Sequence, residues 1–332
     1  MAFAIINRGR SMPIIQRNRE NEQVLLVETA IWNAEIVVSN NANLIRLRHE
    51  PTGLEILRTL ETLAELRRTP ECYGMPLLFP PGRIDGGKFR WNGRGYVFPL
   101  NEPEKNCNLH GLLRGAPWTL AEAKEDESGV WVKMTLDFGP DHPYYAGFPH
   151  EFRLELTYRF TDDAVHQETT VINRGTEAMP FGIGYHTAFR LPSGPCRIMV
   201  TTADQRWEMS DPRRLPTGRL VPLNDKERFN VPGGREVETE AIGMLCPAVT
   251  QDGFRGAIIT SPADHAKIIY EIDAGFSQWG LWNDGGGKGF FCIEPLTWLS
   301  NAPNLNLPPK TTGLQFLSSG DIRHCQGKIM VR

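Results

Sequence analysis

The chain has 332 residues, 40% hydrophobic and 23% charged, with 32 glycines and 25 prolines. That composition predicts a packed core with many turns and argues against disorder. A formal net charge of -3 without long runs of one sign gives no footing for nucleic acid or an anionic membrane. No apolar stretch reaches the roughly 18 residues of a membrane helix.

The opening MAFAIINRGRSM has only a short apolar run before its first arginine. A secretory leader puts charge first, then a longer apolar run and a small-residue cleavage site, so a cytoplasmic location is expected. Strand candidates start with QVLLVET, AEIVVS and NLIRLRH, between residues 23 and 49. Leu54, Leu57, Leu60, Leu63 and Leu66 then recur every third position among good helix formers. One short helix is expected there, stopped by Pro70. WNGRGYVF carries Asn92-Gly93, a hairpin signal. VWVKMTLDF alternates Val130, Val132, Met134, Leu136 and Phe138 on one side, with Trp131 an exception on the other. FRLELTYRF alternates Leu154, Leu156, Tyr158 and Phe160. One buried and one wetter face per strand is the antiparallel pattern. HQETTVIN, GAIITS, AKIIYEI and GFFCIEP complete the set, and residues 203–255 read as an irregular, proline-bearing excursion.

No fixed-period repeat suggests a propeller or solenoid, and strands without intervening helices argue against a parallel sheet. The expectation is all-β: one large antiparallel sandwich over residues 1–332, with few short helices. Cys72, Cys107, Cys196, Cys246, Cys292 and Cys325 are widely spread without a C-x-x-C pair. They read as free, mostly buried thiols rather than disulfides or a zinc site.

Several stretches resemble chemistry only superficially. NDGGGKGFF lacks the Ser or Thr after its lysine that a phosphate-binding loop needs, so it reads as a turn. His265 in ADHAK reads as a solvated histidine. His142 and His150 flank PYYAGFP and read mainly as parts of a rigid loop. The common hydrolase motifs G-x-S-x-G and H-E-x-x-H are absent from the sequence.

Three residues sit in unusual company. His110 lies in CNLHGLLRG, where flanking glycines suit turns rather than a sheet interior. His186 lies in GIGYHTAF, behind Gly182 and Gly184 and between Tyr185 and Phe189. Glu294 follows the apolar run GFFCI, where a carboxylate is costly unless solvated, paired or hydrogen-bonded. Tyr185, Phe189, Trp279, Trp282, Phe291 and Trp298 crowd the same segments. Most belong to a core, but aromatic faces also suit the C–H surface of a sugar ring.

GMPLLFPPGRIDGGKFRWNGRGYVFPLNE, NLHG, YYAGFPHEFRLELTYRF, MPFGIGYHTAF and FCIEPLTWLSNAPN together resemble the aldose 1-epimerase (galactose mutarotase) family. The matches run in family order from about residue 74 to 304. The resemblance implies an antiparallel β-supersandwich with a sugar site on its concave face. It implies interconversion of the α and β anomers of a free monosaccharide, without metal or organic cofactor. By position, Glu294 matches the general base and His186 the general acid. His110 matches a second histidine that binds the sugar, Arg83 a site arginine, and Gln278 in FSQW a polar residue near the base. Two features depart from the family. IGMLCPAV stands where a sugar-binding Asp is expected, with Asp225 the nearest and poorly fitting acid. FPPGRI has Pro-Gly where an asparagine often precedes Arg-Ile.

Three other readings compete. One is a non-catalytic carbohydrate-binding sandwich, since fold does not fix function. Another is a metal site of His110, His186 and Glu294. The third is a hexose-6-phosphate 1-epimerase using Arg83, Arg90, Arg94 and Arg114.

Overall fold

Val130 to Phe138 pairs residue for residue with Phe160 to Phe152, antiparallel. The five alternate apolar side chains of that first strand are buried and the intervening ones are not. Each such burial contributes about 1.5–3 kcal/mol, which fixes the register, because a one-residue slip would expose the whole set. Trp131, on the outer face, lies under the cations of Lys124 and Arg159.

The computed structural model describes residues 14–191, 194–237, 239–261 and 266–332. The opening MAFAIINRGRSM and His265 lie outside the described residues. Among those described, every strand ladder is antiparallel, and the α-helices are two short ones, Leu63–Arg68 and Pro309–Thr312. The large antiparallel β-supersandwich expected from the sequence is what the chain builds. A nine-stranded sheet runs Thr119–Asp126, Gly129–Phe138, Phe152–Phe160, Val165–Asn173, Ile322–Val331, Ala266–Ile272, Gly256–Ser261, Cys196–Val200, Arg235–Val237. A six-stranded sheet has Phe290–Leu296 at its centre, flanked by Gln278–Trp282 on one side and by Gly184–Tyr185 and Thr187–Arg190 on the other. A five-stranded sheet holds Ile14–Arg19 to Leu54–Glu55.

The two larger sheets face each other. The Tyr185 hydroxyl donates to Thr169 Oγ1 at 2.9 Å and to the Cys325 carbonyl at 3.1 Å, and Thr187 Oγ1 donates to the Tyr270 hydroxyl at 3.1 Å. Tyr185 and Thr187 thus point between the sheets. Period-two alternation turns His186 to the opposite, outer face of the six-stranded sheet.

Two expectations are corrected. The leucine series is helical only over Leu63–Arg68, because Leu54 pairs with His49 in a strand and Leu57 bridges Phe189. Thr62 and Glu65 form a capping box at the helix start. Residues 203–255 are not merely an excursion. They supply the hairpin Gln205–Met209/Pro216–Pro222, the edge strand Arg235–Val237 and Gly243–Pro247 of the six-stranded sheet. NDGGGKGFF is a turn as expected, with Gly285, Gly286, Gly287 and Gly289 all at positive φ. The cysteines are free thiols, all buried except the half-buried Cys72.

Candidate active site

His110, His186 and Glu294 converge in a cleft of about 450 Å³ on the outer face of the six-stranded sheet. They are only 7%, 3% and 7% exposed. Glu294 sits mid-strand opposite Gly280, and a Cβ there would approach its Oε2 to 2.9 Å. The missing side chain is what lets the carboxylate stand over the neighbouring strand. His186 Nε2 lies 3.3 Å from Glu294 Oε1. Its backbone N–H donates to the Pro76 carbonyl at 3.0 Å, between the two short strands that pair with the Glu294 strand. Gly182 and Gly184 do allow close approach: added Cβ atoms would meet the Trp298 indole and the Leu296 side chain, each at 2.7 Å. Tyr185 and Phe189 lie in the inner core. The rings beside His186 are Trp282 at 5.8 Å and His110 at 5.1 Å.

His110 is held by a reciprocal lock. Its N–H donates to the Gly82 carbonyl at 2.8 Å, and Gly82 N–H donates to His110 Nδ1 at 3.3 Å. The backbone is left-handed at His110 (φ 60°) and Gly111 (φ 75°), with Asn108 Oδ1 accepting from Gly111 N–H at 3.0 Å. A Cβ at Gly111 would stand 2.0 Å from the Phe79 carbonyl oxygen, so NLHG needs its glycine. Because Nδ1 accepts, the ring proton is on Nε2. Burial pushes the His110 pKa well below its usual value, and His186, Arg114 and Arg83 push the same way, so the ring is a neutral donor. Burial likewise raises the Glu294 pKa, while His186 and Arg83 pull it back.

Arg83 starts the strand Arg83–Asp85, next to Leu109 in the ladder, and lines the same cleft. Its Nε and Nη2 donate to Glu102 at 2.6 and 2.8 Å. Burial alone would raise the Glu102 pKa, but hydrogen bonds from Arg83 and Lys105 outweigh it and hold the carboxylate low. Glu102 was missed by sequence reasoning. So were Glu71, which accepts from Arg114 at 2.6 Å, and Met209 and Arg214 at the cleft wall.

Gln278 is not among the cleft-lining residues. Its Oε1 accepts from Trp207 Nε1 at 2.8 Å and its Nε2 donates to the Thr311 carbonyl at 3.3 Å. Two residues from Gly280, it lies on the Glu294 face of the sheet, with its amide bonded on both sides within the protein. Met244 and Leu245 line the wall where an acid was expected, and Asp225 is fully exposed in an ion pair with Arg228. His142 lies against Phe138 in a tilted ring contact and His150 bonds the Tyr96 hydroxyl at 2.9 Å, both outside the cleft. A larger depression of about 750 Å³ contains His142 and Asp137 but none of the converging trio.

A sequence model of the family described as aldose 1-epimerase matches residues 42–324. The chain belongs to the aldose 1-epimerase family. Within the epimerase fold, a galactose mutarotase-like protein from Clostridium acetobutylicum superposes with a TM-score of 0.91 at 29% identity, covering 96% of this chain and 98% of that one. A putative aldose 1-epimerase from Escherichia coli K12 gives 0.75 at 18% identity, covering 93% and 98%, a likeness of fold alone. The protein YphB of Escherichia coli K12 is 24% identical over 256 residues, 74% of this chain and 79% of that protein.

The same geometry addresses the metal reading. Ligand atoms of His110, His186 and Glu294 lie within 4.8 Å of one another, close enough to share a cation. A ligating imidazole, however, usually donates its other N–H to an acceptor. Here His110 Nδ1 faces a donor, and buried His186 Nδ1 has no partner among the described residues. Neither second nitrogen has the acceptor that an imidazole ligand usually holds. Nor do the four arginines of the phosphate reading assemble. Arg94 pairs with Glu177, Arg114 with Glu71 and Arg83 with Glu102, while Arg90 donates to the Gly93 carbonyl.

Proposed function

We propose that this chain is an aldose 1-epimerase that interconverts the α and β anomers of a monosaccharide, using Glu294 as base and His186 as acid. The observation that carries it is the buried pair itself, an imidazole nitrogen 3.3 Å from a carboxylate oxygen at the floor of a sugar-sized cleft. Glu294 removes the proton from the C1 hydroxyl. The C1–ring oxygen bond breaks as the C1 carbonyl forms, and the ring oxygen takes a proton from His186. C1 turns about the C1–C2 bond. Ring closure then returns one proton to His186 and takes one from Glu294, so no proton or electron is lost. The two groups must act on different oxygens of one acetal, so they can come from distant parts of the chain. Each positioned group supplies about 10²–10⁴-fold.

His110 contributes a neutral Nε2–H donor for a sugar oxygen. Arg83, with two N–H groups held by Glu102, keeps Nη1 for a hydroxyl. No step requires a metal or organic cofactor. The test is NMR exchange spectroscopy on common hexoses, pentoses and hexose phosphates, repeated with E294Q and after exhaustive EDTA dialysis. Exchange above the solution rate is expected for at least one sugar, unchanged by EDTA and reduced at least about 100-fold in E294Q. Sugar binding without exchange sinks the catalytic reading and leaves a carbohydrate-binding protein.

A further inference from the structure

Among the described residues four acids line the cleft, and three of them are accounted for. Glu294 faces His186, both oxygens of Glu102 accept from Arg83, and Asp284, 44% exposed, pairs with Lys288. Glu71 is different. Its side chain is only 14% exposed, yet one oxygen alone is engaged, Oε2 accepting from Arg114 Nη2 at 2.6 Å. Oε1 accepts no hydrogen bond from the described residues and is not sealed in protein.

The backbone that carries this carboxylate is pinned on both sides. Pro70–Cys72 is a 3-10 turn, closed by Cys72 N–H donating to the Thr69 carbonyl at 3.0 Å. Arg58 Nη1 donates to the Cys72 carbonyl at 3.2 Å, and its guanidinium lies over the Tyr73 and Phe290 rings at 4.4 and 3.8 Å. Beyond the turn the chain runs along the His186 strand. The Gly74 and Pro76 carbonyls accept from the backbone N–H groups of Ala188 and His186, and Leu78 pairs with Gly184. Glu71 thus enters the cleft from the His186 side of the Glu294 strand, across from Gly280. Its charge is felt at the base, whose pKa it raises, and its partner Arg114 is near enough to His110 to lower that ring's.

Sugar geometry adds a second argument. A pyranose with its C1 hydroxyl at Glu294 and its ring oxygen at His186 turns its C2 edge back toward Gly280. C5 is joined to the ring oxygen, so C5, C4 and C6 lie on the far side, where Glu71 stands. A carboxylate oxygen accepts a hydroxyl roughly twice as strongly as a neutral acceptor does.

We propose that Glu71 is a specificity-determining residue of this cleft, its Oε1 accepting a hydrogen bond from the sugar hydroxyl on C4 or C6. The substrate is then a neutral aldohexose that carries that hydroxyl. The placement of C4 and C6 rests on the epimerase reading.

The test compares glucose and galactose with their 2-, 4- and 6-deoxy analogues, using the wild type, E71A and the isosteric E71Q. NMR anomer exchange gives kcat/KM, and calorimetry gives affinity in the same samples. In the wild type, loss of the C4 or the C6 hydroxyl is expected to cost at least roughly 10-fold in kcat/KM, and in E71A that parent-to-deoxy ratio is expected to fall to about one. The ratio at C2 stays the same in both proteins. Each ratio is taken within one protein, so partial misfolding does not imitate the result, and intrinsic differences in ring opening cancel between wild type and variant. If E71A does not fold, E71Q carries the test, with the ratio reduced at least about 3-fold. A role confined to propping Arg114 lowers every sugar equally in the variants and keeps the ratio, which overturns the proposal. Wild-type exchange indifferent to both hydroxyls, a change at C2 instead, or no binding or exchange of any hexose overturns it too. Binding that discriminates at C4 or C6 only while Glu71 is present, without exchange of any sugar, leaves the role of Glu71 standing and sinks the epimerase reading instead.

Discussion

At the scale of single residues, the chemistry turns on a carboxyl group kept dry. Burial holds Glu294 above its ordinary value of 4.5. Under the proposed mechanism the working base is the ionised form, so exchange is expected above the raised pKa and is lost as pH falls through it. The acid limb of kcat/KM is therefore expected above 4.5, and a limb at or below that value contradicts the assignment. The same shift has a folding consequence. A carboxyl whose folded pKa is raised stabilises the fold fully below its unfolded pKa, and that contribution is lost as pH rises through the folded one. E294Q does not titrate, so its Tm advantage over the wild type should grow from pH 4.5 upward. Melting curves between pH 4.5 and 8 check this; a gap independent of pH counts against it. Buried His150 and half-buried His166 are pushed down to about 4 and run the opposite way, with stability present above about 6.5 and lost as pH falls toward 4. Both proteins carry these histidines, so their contribution cancels in the difference between E294Q and the wild type.

Local strings made His110, His186 and Glu294 legible, because glycines and an apolar strand are poor surroundings for polar groups without a task. Glu102 and Arg214 were not legible. Glu102 is 19 residues from Arg83, and Arg214 is 29 residues from the carbonyl it bonds. Neither spacing has a periodic signature. The partner of Gln278 was hidden for a related reason: FSQW is a local string, but the indole that bonds its amide arrives from residue 207.

At the scale of elements, the site is a property of the six-stranded sheet. Alternation sends Tyr185 and Thr187 inward and His186 outward, and puts Gly280 and Trp282 on the Glu294 face. G280A therefore tests the sheet rather than the acid. Its Cβ would crowd Glu294 Oε2 and Cβ at 2.9 and 3.1 Å, while glycine has no positive φ to preserve there. Exchange is expected to fall at least roughly 10-fold with a stability cost of about 1–3 kcal/mol. Activity and urea midpoint measured on the same preparation check both; wild-type exchange in a folded G280A shows that the carboxylate does not need that space. The long alternating strands were readable from sequence because one face of each is buried. The two-residue strands Leu77–Leu78 and Gly184–Tyr185 were not, since so few residues establish no period. The hairpin over residues 205–222 was hidden by its prolines and by strands that bury few side chains.

At the scale of the molecule, one hydrophobic cluster runs from Ile14 through both large sheets to Ile329. Thermal unfolding is accordingly expected as one transition, with calorimetric and van't Hoff enthalpies equal. Two resolved transitions would divide the chain into separate domains.

The nine-stranded sheet also orders events in the life of each chain. Its middle strand, Ile322–Val331, is the last of the nine to be synthesised, with four strands on either side. Translation proceeds at about 5–20 residues per second, so for about 3–10 seconds the two half-sheets exist without the strand that joins them. Each then offers a free edge to other nascent chains. A chain ending shortly before residue 322 would carry not a slightly shortened sheet but two unjoined half-sheets, a natural target for chaperones and proteases.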